Sequence, residues 1–284
     1  MIFVKLLSRL PTGMLYFIVD ILFVLVYYGI GYRKKVVIKN LTNSFPDKSP
    51  EEIKRIAKAF YNRFGEYLAE TIKSISISEK EIKNRVKFIN VPVVEEYAAK
   101  GQSIILAGSH QFNWEWALLT GCLVLPFPVD AVYKKLKNEK YDQLMLKTRA
   151  KFGGQPIESK NIIRSLLKSK ERLKAVAIMA DQSPTGKSAK YWTTFMHQDT
   201  AFFTGPEQIA GAFDYPVFFY RMLRIKRGYY TVELIKLTEP PYQKESHNIL
   251  ESYISQTEQL IKDDPAGYLW SHKRWKLKRE KSIT

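Results

Sequence analysis

From Met14 to Tyr28 the chain is almost unbroken apolar sequence, M-L-Y-F-I-V-D-I-L-F-V-L-V-Y-Y, with Lys5 and Arg9 before it and Arg33, Lys34, Lys35 and Lys39 after it. Extended from Leu10 to Tyr32, the run is long enough to cross a hydrocarbon core. Tyr27, Tyr28 and Tyr32 suit the lipid–water interface, and no small-residue cleavage site follows, so an anchoring helix is expected rather than a cleaved signal peptide. Asp20 complicates a spanning helix. An ionised carboxylate near a bilayer centre costs about 3 kcal/mol, so it must protonate, pair or lie off-centre. An interfacial or re-entrant helix is the alternative. The positive charge after the run places the body of the protein on the cytoplasmic side.

Beyond residue 40 the pattern changes. Ser49-Pro50-Glu51-Glu52 reads as a capping box with proline at the first helical position, and Ile53, Ile56, Ala57, Phe60, Phe64 and Leu68 recur at helical spacing to about Lys73. Glu70, late in that helix, reads as a solvated residue. Ser78-Glu79-Lys80-Glu81 caps a second, short helix, and Val86 to Ile89 reads as a strand. Strands are then expected at 103–107, 129–133, 175–180, 217–223 and 230–237, and helices at 92–100, 114–124, 138–152, 162–173, 206–213 and 246–262. Lys226-Arg227-Gly228-Tyr229 is a hairpin-like turn between the last two strands. The alternation predicts an α/β fold, a mostly parallel sheet flanked by helices. Residues 1–40 are expected to be a membrane anchor and 41–284 one domain with a helical N-terminal portion.

The candidate chemistry gathers at Ser103 to Trp116, S-I-I-L-A-G-S-H-Q-F-N-W-E-W. Its apolar run reads as a core strand, His110 as a residue of the following turn, Asn113 as the candidate N-cap, and Glu115 as part of the first helical turns. In one continuous helix, residues five apart would point roughly 140° from each other. With His110 in a turn, the Glu115 carboxylate can reach the imidazole, giving a base oriented by a carboxylate. His-x4-Glu also occurs by chance. Tyr133-Lys134 ends a candidate strand, where open α/β sheets form crevices. Arg149, followed by Gly153-Gly154, closes a helix and reads equally as ordinary C-terminal capping. Asp181 follows another apolar run and is either a site residue or a loop-capping carboxylate.

From Ser183 to Thr204 a long loop is expected, with Pro184, Gly186, Tyr191, Trp192, Phe195, Phe202 and Phe203 suiting a lipid-facing wall or a flap over the core. The closing Y-L-W-S-H-K-R-W-K, Tyr268 to Lys276, mixes aromatics with cations and suits an anionic headgroup; a solvated basic tail is the alternative. His272 has no carboxylate neighbour in sequence and is not favoured as a base.

Composition narrows the partners. The 284 residues carry 45 Lys and Arg against 28 Asp and Glu, a formal charge of +17, which suits an anionic bilayer, phosphorylated substrates, an acidic protein or nucleic acid. The single cysteine, Cys122, excludes an intramolecular disulfide and fits a reducing compartment. No Cys/His cluster has zinc-ligand spacing, Gly-x-Ser-x-Gly is absent, and no nucleic-acid-binding signature is present. Metal catalysis and a serine-hydrolase elbow are therefore not indicated, and no nucleic acid is expected. A non-enzymatic basic membrane- or nucleic-acid-binding protein would leave the His110 box idle.

Taken together, the motifs resemble the bacterial lipid A biosynthesis late acyltransferases of the lysophospholipid acyltransferase superfamily, over nearly the whole chain. The likeness rests on the apolar anchor followed by Y-R-K-K and N-L-T-N-S-F-P, on His110-x4-Glu115, and on Tyr133-Lys134 with Asn138. It continues through R-A-K-F-G from Arg149, A-D-Q from Ala180, Phe195 to Gly205, Pro216-Val217 and the closing aromatic-basic stretch. The resemblance implies an acyltransferase fold and transfer of a fatty acyl group from a thioester to a hydroxyl of a lipid A precursor. The donor would be acyl carrier protein by preference, otherwise coenzyme A, with no bound cofactor, at the cytoplasmic face of the inner membrane. It implies His110 as general base, Glu115 as its orienting carboxylate, Arg149 at the reacting carbonyl and Asp181 in the site wall, with Asn113, Tyr133 and Lys134 as further substrate-binding candidates. Phe195-Met196-His197 stands where many members have Phe-Phe-Gly, Thr200 and Phe202 replace small residues, and Lys134 stands where Arg is common. Those departures leave the acyl length and the acceptor open, with a glycerophospholipid, another glycolipid or an aminolipid as alternatives.

Overall fold

The computed structural model describes residues 2–184, 190–243 and 246–279. The chain begins with α1 (Ile2–Ser8) and α2 (Thr12–Val24), which runs on through a π-helical turn (Leu25–Ile30) to Gly31 in the left-handed conformation. Thr12 to Ile30 is long and apolar enough to cross a membrane, with a mean hydropathy of 2.0, and is a candidate membrane anchor. α3 (Lys34–Ser44) follows, an element that the β-branched run Val36-Val37-Ile38 does not suggest; it buries Val37 and Leu41, four residues apart. α4 (Pro50–Ser74) starts at the expected capping box: Ser49 Oγ accepts from the Glu52 N–H at 3.2 Å, and the Glu52 carboxylate accepts from the Ser49 N–H at 2.9 Å. α5 (Glu79–Arg85) is capped by Ser78.

The α/β portion is as expected. After β1 (Val86–Phe88) and α6 (Pro92–Ala99), β2 (Ile104–Gly108) leads into α7 (Trp114–Val124). Next come β3 (Val129–Tyr133), α8 (Glu139–Arg149), the short β4 (Gln155–Glu158), α9 (Ile162–Lys168) and β5 (Ala175–Met179). β6 (Lys190–Phe195) and β7 (Gln198–Phe203) precede α10 (Gly205–Phe213), β8 (Val217–Lys226), β9 (Tyr229–Thr238) and α11 (Asn248–Asp263). Among the described residues one sheet has the order β1-β9-β8-β2-β5-β3-β4, parallel throughout except for the antiparallel pair β8–β9. Gly228 turns that hairpin at φ 73°.

Two expectations need correcting here. The aromatic stretch from Ser183 to Thr204 is not a structureless loop: β6 and β7 form an antiparallel hairpin, while Gly186 lies outside the described residues. Its turn is Met196-His197, both at positive φ (49° and 62°), where glycine or asparagine usually marks a two-residue hairpin. Phe195, Met196 and Phe202 are buried, so the hairpin packs on the core. The closing basic stretch is not a solvated tail either. Tyr268, Trp270 and Arg274 are buried, and the Asn40 amide of α3 donates to the carbonyls of Trp270 and His272 at 2.9 and 3.0 Å. β4 carries little sequence signal because it is an edge strand of four residues containing Pro156, which an edge tolerates.

Gly108, at the end of β2, lies under the Tyr220 ring of the neighbouring β8: an added Cβ would stand 2.0 Å from Tyr220 Cζ. Gly108→Ala is expected to destabilise the fold by about 1–3 kcal/mol, the cost of overpacking a filled core, read as a lowered denaturation midpoint in detergent. An unchanged midpoint would show that the ring has room to move.

Candidate active site

β2 and β5 are parallel neighbours with Gly108 opposite Met179, so the residues two places beyond each strand end, His110 and Asp181, emerge side by side at the C-terminal edge of the sheet. Tyr253 of α11 ties the two ends together, donating from its hydroxyl to the Gly108 carbonyl at 2.9 Å and accepting from the Ala180 N–H at 3.2 Å. Asp181 then holds His110 twice. Its Oδ1 lies 2.7 Å from the imidazole Nδ1, and its Oδ2 accepts from the His110 backbone N–H at 2.9 Å. Burial by itself raises the Asp181 pKa, but the charge and hydrogen bonds of His110, with help from Arg274, hold it below the ordinary carboxylate value. An ionised Asp181 fixes the Nδ1–H tautomer and leaves Nε2 with its lone pair. Among the described residues nothing hydrogen-bonds Nε2.

The turn carrying His110 is braced from the C-terminal segment. The Phe112 N–H donates to Gly267 O at 3.0 Å, Leu269 N–H donates to His110 O at 3.1 Å, and the Gln111 amide donates to Leu260 O at 2.8 Å. Phe112 is held at φ 53°, a conformation unfavourable for an aromatic residue, with its ring against Gly267, where a Cβ would stand 2.4 Å away. His272, not favoured as a base, serves the packing of the segment instead. Its Nε2 accepts from the Ser183 N–H at 3.1 Å, and burial brings its pKa down to about 4, so it stays neutral.

The carboxylate expected beside His110 is elsewhere. Glu115, buried in the first turn of α7, takes two hydrogen bonds from Arg149, Nε to Oε2 at 2.9 Å and Nη2 to Oε1 at 2.6 Å. Burial alone would lower the Arg149 pKa, but the Glu115 pairing raises it above the ordinary value, so the guanidinium stays charged. Asn113 is the N-cap of α7, accepting from the Trp116 N–H at 2.9 Å. Tyr133 sits at the end of β3 with the Arg149 guanidinium 6.0 Å from its ring centre, while Lys134 is exposed. The structure thus brings His110 with Asp181, and Glu115 with Arg149, as two separate pairs, with the Trp114 ring edge-on to the imidazole at 4.9 Å.

Between α7 and the sheet lies an apolar cavity of about 640 Å³ including its open mouth, lined by Leu106, Ala117, Gly121, Leu125, Val132 and Met179 among others, with Glu115, Arg149 and Tyr133 as polar members.

Glu70, expected to be solvated, is fully buried. It accepts from Tyr16 of α2 at 2.7 Å, from the Asn113 amide at 2.6 Å and from Tyr230 of β9 at 2.9 Å, while its backbone carbonyl accepts from the Trp116 indole at 3.1 Å. The helical spacing puts it beside the buried Ala69 and Lys73, but only the tertiary fold supplies its partners.

A His–Asp pair at a strand end, with an apolar cavity beneath the adjoining helix α7, fits a general-base enzyme acting on a substrate with a hydrocarbon part. Residues 1–277 match the bacterial lipid A biosynthesis acyltransferases, and the chain belongs to that family; it is an acyltransferase. It is 23% identical over 288 residues to the lipid A biosynthesis lauroyltransferase of Escherichia coli (strain K12), covering 96% of this chain and 92% of that protein.

Burial pushes the Glu70 pKa up to about 7, against the pull of its three donors. Between its ordinary value of 4.5 and about 7 the folded state therefore binds a proton that the unfolded state has lost, and stability falls as pH rises through that window, by about 3 kcal/mol in total. Denaturation followed from pH 4.5 to 7 is expected to show this decline in the wild type and to lose that component in Glu70→Gln. Parallel pH profiles for the two proteins would refute it.

Proposed function

We propose that this acyltransferase moves a fatty acyl group from a thioester, by preference that of acyl carrier protein, to a hydroxyl of a lipid A precursor, with His110 as general base oriented by Asp181. The observation that carries the reading is the 2.7 Å contact between His110 Nδ1 and a buried carboxylate kept ionised, which leaves Nε2 with its lone pair to accept a proton. A hydroxyl is a weak nucleophile at neutral pH. Nε2 takes its proton as the oxygen attacks the thioester carbonyl carbon, and Asp181 stabilises the imidazolium that forms. The tetrahedral intermediate then collapses, the carbon–sulfur bond breaks, and the imidazolium returns the proton to the departing thiolate. Glu115 acts at one remove, fixing the planar guanidinium of Arg149 in the cavity lining. The Arg149 Nη1, which has no hydrogen-bond partner among the described residues, is the donor we assign to the developing oxyanion.

The acyl chain would lie in the apolar cavity beneath α7. Lys134, Lys135 and Lys137 are exposed in the β3–α8 connection just beyond Tyr133, which lines that cavity, as is Lys140 in the first turn of α8, and with the +17 balance they suit an acidic carrier protein. The apolar N-terminal helix and the family support association with a membrane, and the inner membrane's cytoplasmic face is the location we assign from the flanking charge and the lone cysteine.

His110→Ala is expected to lower transfer to a lipid A precursor by about 10²–10⁴-fold, and Asp181→Asn by a comparable factor, in purified protein assayed by mass spectrometry with a panel of acyl donors. Full activity of His110→Ala would overturn the mechanism, and transfer only to glycerophospholipids would overturn the acceptor.

A side chain added at Gly121 would start 3.3 Å from Leu125 and 3.5 Å from Phe88 and extend into the cavity. Gly121→Leu is therefore expected to shift donor preference towards shorter chains in the same panel; an unchanged preference would move the acyl chain out of this cavity.

A further inference from the structure

The candidate anchor helix does not stand free of the protein. Its inner side is stitched to the body along its whole length, in antiparallel register with α4. The Ser76 hydroxyl donates to Ser8 O, and Lys73 donates to Leu10 O at 3.0 Å. Thr12 donates to Glu81 at 3.0 Å, and Tyr16 donates to Glu70 at 2.7 Å. Val19 packs on Gly65, where a Cβ would lie 3.6 Å from the Val19 Cβ. Tyr27 meets Tyr61 edge-on at 5.3 Å, and Lys58 reaches over Tyr28 at 5.9 Å. Asp20, the residue that makes a spanning helix awkward, forms a two-pronged ion pair with Arg227 at the β8–β9 turn, at 2.6 and 2.9 Å.

The outer side differs in kind. Met14, Phe17, Ile21, Leu25 and Tyr28 are exposed at spacings of three and four, a single stripe, and Phe3 and Leu6 of α1 are exposed as well. Lys5 and Arg9 at one end, Arg33 and Lys35 at the other, and Lys58 alongside are exposed cations flanking the stripe.

We propose that the N-terminal helix is monotopic: it lies flat, docked on α4, with the Met14–Tyr28 stripe immersed in one leaflet of an anionic bilayer and no part of the chain crossing. In the observed packing, a helix that crossed the hydrocarbon would take α4 with it, and α4 carries the charged residues Lys54, Arg55, Lys58, Arg63, Glu66 and Lys73 along its length. A helix that instead swung away to cross alone would carry Asp20 into hydrocarbon without Arg227 and would strip the buried Glu70 of Tyr16, one of its three donors. Lying flat keeps every one of these pairs and still buries the apolar stripe, with the flanking cations at headgroup level. The same geometry links Tyr16 to the catalytic turn through a single side chain, since its partner Glu70 holds Asn113, the N-cap three residues after His110. The inference rests on the membrane part of the proposed function and on none of its chemistry.

The Val19–Gly65 contact offers a direct test, because its Cβ separation matches that of a disulfide. The full-length chain with Cys122→Ser, Val19→Cys and Gly65→Cys is oxidised in native membranes and scored by gel mobility, with Phe17→Cys paired with Gly65→Cys as a control on the outer face. The expected result is near-complete cross-linking of the first pair and none of the second. A first pair that cross-links in detergent but not in membranes would show that the helix leaves the body to span, and would overturn the proposal. In parallel, Phe17→Asp, Ile21→Asp and Leu25→Asp combined are expected to move most of the protein from the membrane pellet to the supernatant. Continued sedimentation of that variant, or a wild-type chain that never sediments with vesicles containing anionic lipid, would equally overturn it. Neither readout depends on acyl transfer, so failure of the proposed reaction would be visible separately.

Discussion

The carboxylate of Glu70 is the point on which the arrangement of this protein turns. Among the described residues no cation pairs with it, and it is satisfied by a phenol from α2, a phenol from β9 and the amide that caps α7. Removing such a group from water is costly unless each lone pair finds a donor, so the three elements cannot drift apart independently. Through Asn113 the position of the helix after His110 depends on this one side chain, and through Tyr16 the N-terminal helix depends on it too.

The pairing of His110 with Asp181 follows from a second constraint, the register of two parallel strands. With Gly108 opposite Met179, the chain has no freedom about which residues meet beyond the sheet edge: His110 and Asp181 do. Tyr253 locks the strand ends, and the C-terminal segment braces the turn, which is why Phe112 tolerates a left-handed backbone there. Strain at this point fixes the direction of the imidazole rather than leaving it to a flexible loop. The second ion pair, Glu115 with Arg149, lines the apolar cavity, where an unpaired buried carboxylate would be expensive. The acidic and basic groups His110 with Asp181 and Glu115 with Arg149 therefore come in complementary pairs.

Most of the architecture is legible in the chain because it rests on local signals. The Ser49 capping box, the apolar runs that form β2, β3 and β5, and the Gly228 turn each express their structure through neighbours within a few residues. The hairpin at Met196-His197 is hidden because neither residue favours positive φ in isolation; tertiary packing of Met196 and Phe195 forces it. α3 is hidden behind β-branched residues that prefer strands until Val37 and Leu41 find a core to bury against.

By itself the sequence determined the family, the alternating α/β order, the apolar N-terminal helix, and His110 at a strand-to-helix turn, since all of these are written in periodicity and short spacings. Only the tertiary structure decided which carboxylate faces the imidazole. Glu115 is five residues from His110 and points to Arg149, while Asp181 is 71 residues away and adjacent. It alone decided that Glu70 is buried, that Asp20 has Arg227 as its partner, and that the basic, aromatic C-terminus is core. The physical reason is the same in each case: the free energy of a buried charge depends on which groups surround it in space, and strand register and helix docking bring those groups from distant parts of the chain.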